Sequence, residues 1–79
     1  MNSIEMIVLE LNNKMYKQGN TPESHIFYQW LKETVKNSDV KLNKTNIKAI
    51  VSRYNKLVKN TNKRTINREY VIDCYERNY

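Results

Sequence analysis

The chain has 79 residues, a formal net charge of +6, and one each of Gly, Pro, Cys and His. A single Cys excludes an internal disulfide, and one Cys with one His leaves no metal-ligand spacing. No segment approaches the roughly 18 apolar residues of a membrane span, so no membrane partner is expected.

A chain of this size buries only about 60–65% of the surface its unfolded form exposes, so the core must be thin. There is no internal repeat, low-complexity tract or dividing linker, and one domain over residues 1–79 is expected. The apolar-rich stretch Ile4–Leu11 carries Glu5 and Glu10 and follows no basic residue, which does not fit a secretory signal. The lone Cys fits a reducing compartment, and a cytoplasmic location is expected. Asn, Lys, Ile and Tyr are abundant and Ala49 is the only Ala. AT-rich codons give this bias, which points to a low-GC bacterium, its phage or a plasmid.

The pattern reads as helices throughout. Ile4, Ile7, Val8, Leu11 and Met15 recur on one helical face, predicting a first helix over 3–17. Asn2 is the expected N-cap with Glu5 three residues on, and Gly19 is the expected left-handed terminus. Thr21-Pro22-Glu23 predicts the next start: Thr caps, Pro fills the first helical position, and Glu meets the positive end of the dipole. Phe27, Trp30, Leu31, Thr34 and Val35 form its buried stripe, with Tyr28 off the stripe and exposed. The turn cluster Asn37-Ser38-Asp39 ends it.

Asn43 is the expected N-cap of a third helix, with Leu42 and Ile47 at the spacing of a hydrophobic staple. Ile47, Ile50, Val51, Tyr54, Leu57 and Val58 fall on one face, and Asn60 is the terminus. The loop Asn60–Arg64 is polar and basic. Thr65 can cap a last helix through Val71 and Cys74, although the β-branched and aromatic run Tyr70-Val71-Ile72 also suits a short β-wing. The expected fold is all-α: a bundle of three to four helices with a helix-turn-helix-like order, helix, turn of about six residues and basic helix.

Charge is distributed unevenly. Nine of the fourteen basic residues lie between Val40 and Arg68, a stretch without Asp or Glu. The residues before it sum to −1 and those after it to −2. A solvated helix face ordinarily mixes signs, because opposite charges four residues apart stabilise it. A basic segment between mildly acidic flanks is the footprint of a polyanion binder.

On the third helix, Lys44, Lys48, Ser52, Asn55 and Lys59 are expected to line the face opposite the apolar stripe, flanked by Thr45, Arg53 and Lys56. Lys and Arg supply phosphate contacts, and Asn pairs bidentately with adenine. With end-on groove insertion Lys44, Thr45, Asn46 and Lys48 would sit deepest. Lys63, Arg64 and Arg68 would clamp the backbone.

Catalytic equipment is missing from the sequence. There is no Ser/His/Asp arrangement, Gly-rich phosphate loop or paired carboxylate set, so a non-enzyme without a cofactor is expected. His25 reads as a surface residue. Cys74 lies between Asp73 and Glu76, which do not favour a thiolate. Tyr16, Tyr70, Tyr75 and Tyr79 could form an aromatic patch for a protein interface.

The leading expectation is a small DNA-binding protein of helix-turn-helix type, a regulator or accessory factor of a phage, plasmid or other mobile element. DNA fits better than RNA, because exposed aromatics for single-strand recognition are not evident. Dimerisation, as a homodimer, or a partner is expected, since one small unit binds too short a site for specificity. The alternative is an interaction module, such as a phage-encoded inhibitor, that docks its basic face on an acidic host protein.

Overall fold

The computed structural model describes residues 3–79. They form four helices and, among the described residues, no strand: α1 (Ser3–Gln18), α2 (Ser24–Lys36), α3 (Lys44–Lys59) and α4 (Arg68–Glu76). The β-wing alternative does not form. As a helix, α4 turns Val71, Ile72 and Cys74 to the core while Tyr70 stays outside.

Helix ends follow local chemistry where no tertiary contact competes. The N-cap expected at Asn2 lies outside the described residues. Gly19 ends α1 with φ 99°, and its N–H donates to Met15 O at 2.9 Å. That left-handed conformation is open to Gly at little cost. Asn43 caps α3, its side chain accepting from the Asn46 N–H at 2.9 Å. Leu42 packs against the core, as a staple with Ile47 requires.

Two expected caps are displaced. Helix α2 starts at Ser24, with Glu23 in the N-cap position and no side-chain cap. Thr21 is buried instead, and its hydroxyl is hydrogen-bonded to Tyr54 OH at 2.8 Å. A buried hydroxyl without a partner costs more than a missing exposed cap, so the tertiary bond takes precedence. Likewise Asn67, not Thr65, caps α4, accepting from the Tyr70 N–H at 3.2 Å. Ile66, buried just before it, fixes where the helix can begin.

The helices form a ring. Helix α1 packs on α2 and α3, and α4 packs on the other sides of the same two. Helices α2 and α3 therefore face each other across the core, where the Phe27 and Tyr54 rings meet edge to face with centroids 4.8 Å apart. The expected order of helix, turn and basic helix is present. Its two members meet through the Phe27–Tyr54 aromatic contact, with α1 and α4 each packed against both.

This ring explains two burial reversals. Tyr28, expected outside, is buried because α2 has a neighbour on each flank and needs a broad apolar face. Leu57, expected inside, is exposed in a shallow groove beside Val8 and Leu9 of α1. Trp30 is only partly buried and carries Lys14 Nζ 5.5 Å above its ring. No helix among the described residues is long and apolar enough to cross a membrane.

Candidate nucleic-acid interface

The buried stripe of α3 is Ile47, Ile50, Val51, Tyr54 and Val58. At 100° per residue its opposite pole falls on Thr45, Ser52 and Lys56. The line Lys44, Lys48, Asn55 and Lys59, expected at that pole, lies about a quarter turn away, on the α4 side. The exposure of Leu57 turns the centre of the stripe by only about 12°, so most of the offset is already in the spacing of these residues.

The N-terminal half of the face is hemmed in. Lys44 Nζ lies 3.6 Å from Glu76 Oε2. Lys44 and Lys48 line a groove with Glu69, Asp73 and Glu76 of α4. Asn46 donates from Nδ2 to Lys41 O at 2.8 Å, tying its amide to the preceding turn. Thr45 is exposed beside them. Carboxylates this close oppose a phosphate, so end-on insertion of this terminus is not what the surface favours.

The middle of the helix is structural. Asn55 Oδ1 accepts from the Ile66 N–H at 2.7 Å, and its Nδ2 donates to Ile66 O at 2.8 Å. Both ends of the amide are occupied by one backbone residue, so the adenine pairing anticipated for Asn55 is not on offer. Ser52 Oγ accepts from Arg68 Nη1 at 3.0 Å. Arg53 Nη1 lies 4.0 Å from Glu5 Oε1.

The C-terminal half differs. Lys56 and Lys59 are exposed and have no ion-pair or hydrogen-bond partner among the described residues. They also oppose the partial negative charge at the carbonyl end of the helix. Beyond them the chain turns at Asn62, φ 60°, and the Lys63 N–H returns to Val58 O at 3.2 Å. This closure sends the loop back toward the α1–α2 connection.

There Lys63 Nζ donates to Gly19 O at 2.9 Å and Arg64 Nη2 to Thr21 O at 2.8 Å. The expected clamp residues Lys63, Arg64 and Arg68 are thus held by internal contacts. Their acceptors are neutral, so the positive charge is fixed in place and not cancelled. Arg64 keeps further guanidinium donors on an exposed side chain.

The structure therefore gathers Lys56, Lys59, Lys63 and Arg64 at one end of the molecule. It places Lys44 and Lys48 among carboxylates, and it commits Asn46 and Asn55 to the fold. The acidity of α4 was legible in the sequence, but its seating against α3 was not. Nor do the terminal tyrosines form one patch: Tyr70 and Tyr79 border a cavity with Tyr28 and Cys74, while Tyr16 lies on α1.

Comparison with known proteins finds no matching family model, no similar curated protein and no similar solved structure.

Proposed function

We propose that the protein binds duplex DNA by phosphate contact, using the C-terminal half of α3 and the loop that follows it. A small regulator or accessory factor of a phage, plasmid or other mobile element suits that chemistry. The observation carrying this reading is exposed Lys59 beside Lys63 and Arg64, the latter two held by neutral carbonyls, with exposed Lys56 flanking them at the end of a groove that also holds Glu5.

Lys56 and Lys59 belong to a segment whose own sequence carries no acid. The one aromatic residue of α3, Tyr54, is buried, so this face has no ring on which an unpaired base could stack. That favours a duplex over a single strand. With Asn46 and Asn55 occupied, affinity should come chiefly from the backbone and sequence preference should be weak.

Fluorescence anisotropy of random-sequence duplex DNA tests the proposal. Four phosphate contacts give a slope of roughly −3.6 for log affinity against log salt, which is about 150-fold between 50 and 200 mM. Micromolar binding that collapses over this range is the expected result. Absence of binding at the lower salt would overturn the reading and turn attention to an acidic protein surface.

A further inference from the structure

Helices α1 and α3 run side by side in the same direction. Glu5 lies by Arg53, Leu9 shares a groove with Leu57, and the Gly19 carbonyl receives Lys63. At 100° per residue Glu5, Leu9 and Tyr16 fall within about 40° of one another, so they mark the flank of α1 that is turned to α3. That flank carries Tyr16 to the end of the molecule where α3 gives way to the basic loop.

The surroundings of Tyr54 put Tyr16 in the same place. Thr21, whose carbonyl accepts from Arg64, is hydrogen-bonded through its hydroxyl to Tyr54 OH at 2.8 Å. Burial raises the Tyr54 pKa, the Thr21 bond and Arg64 lower it, and the Tyr16 phenol raises it. Through solvent such influences are largely screened beyond about 10 Å. Tyr16 and Arg64 therefore stand near one and the same hydroxyl.

Tyr16 is 47% exposed, and its own hydroxyl has no hydrogen-bond partner among the described residues. Lys63 and Arg64 are tied to the α1–α2 connection that begins three residues beyond it. Glu23, the acid nearest that connection in the chain, lies 3.6 Å from His25. A phenol O–H donates to a phosphate oxygen, and Tyr is among the side chains that make such backbone contacts. A free donor beside two fixed cations suits an anionic oxygen. Tyr70 is the matched contrast: it is also 47% exposed, but it borders a groove with Glu69, Asp73 and Glu76.

We propose that Tyr16 is a further contact of the DNA site, its hydroxyl donating to a backbone phosphate drawn in by Lys63 and Arg64. The interface would then span the end of α1 as well as α3 and its loop. The contact presupposes that this end of the molecule binds DNA.

A neutral donor differs from a lysine in one measurable respect, because it releases no counterion. Its removal should lower affinity equally at all salt concentrations and leave the salt slope unchanged. Anisotropy titrations of random-sequence duplex DNA at about 50 and 200 mM salt test this. Tyr16→Phe should weaken binding about fivefold at both, with the wild-type slope and an unchanged melting temperature. Lys63→Ala should also weaken binding but make the slope shallower by about 0.9. Tyr70→Phe should change nothing. If the wild type binds DNA and Tyr16→Phe binds as well, the proposal is overturned and the DNA reading stands. If the wild type fails to bind at the lower salt, both fall. A loss seen with Tyr16→Ala but not with Tyr16→Phe would give the contact to the ring and likewise overturn donation by the hydroxyl.

Discussion

The two halves of α3 are built from the same residue types and differ in what surrounds them. Lys44 and Lys48 stand beside the carboxylates of α4, and Lys44 is paired with Glu76. Lys56 and Lys59, three turns further on, are exposed with no partner among the described residues, next to a loop whose two cations contact only carbonyls. A run of basic sequence is therefore not a surface of uniform potential. The field a ligand meets is set by tertiary neighbours, and a carboxylate brought within a few ångströms offsets a charge that the chain counts in full.

The largest expected effect separates architecture from interface. Asn55 alone holds Ile66 by both its N–H and its carbonyl. Asn55→Leu leaves both groups without that partner and should cost about 2–3 kcal/mol. For a domain of this size that lowers Tm by at least about 8 °C in a thermal melt. The variant, measured while folded, should retain DNA affinity within about threefold. A loss of binding with no loss of stability would mean that the amide contacts the ligand, and the division of α3 drawn above would fail.

A smaller effect divides the two halves directly. Lys56→Ala with Lys59→Ala should weaken DNA binding about tenfold, or about 1.4 kcal/mol, and reduce the salt slope by about two. Lys44→Ala with Lys48→Ala should weaken it less than threefold, because nearby carboxylates already offset those charges. Equal losses in anisotropy titrations would break the comparison.

Much of the fold was legible because helices are written locally. The Gly19 terminus, the Asn43 cap, the staple at Leu42 and five of the six apolar positions expected on α3, all but Leu57, follow from spacing and capping chemistry. Errors came where a distant residue intervened. Thr21 gave up its cap for Tyr54, thirty-three residues away, and Ile66 moved the start of α4. Helical order along the chain does not specify which helices become neighbours, so the packing of α1 and α4 against both α2 and α3 was not readable. The candidate site suffered more than the fold for the same reason. Residue type marked Asn55, Lys63 and Arg64 as ligand contacts, while their partners lie 11, 44 and 43 residues away in sequence.

The smallest expected effect concerns the anchor that holds the basic end together. Tyr54 joins α3 to Thr21, the residue whose carbonyl also receives Arg64. Burial raises the Tyr54 pKa above its ordinary value of 10.0, against the lowering by the Thr21 hydrogen bond and by Arg64. Burial likewise raises Tyr28 and Cys74, the latter from 9.0. All three are neutral when protonated, and the folded state holds those protons more tightly than the unfolded chain. Their contribution is therefore complete below about pH 9 and is lost as pH rises through the folded values. Urea midpoints should be flat from pH 7 to 9 and then fall. Tyr54→Phe removes one of these groups and one hydrogen bond, so it should be less stable by about 1 kcal/mol at pH 7 and decline less steeply above pH 10. Parallel curves for the two proteins would mean that Tyr54 ionises as readily folded as unfolded. The hydroxyl would then not be the sealed link between α3 and the loop on which the position of Arg64 depends.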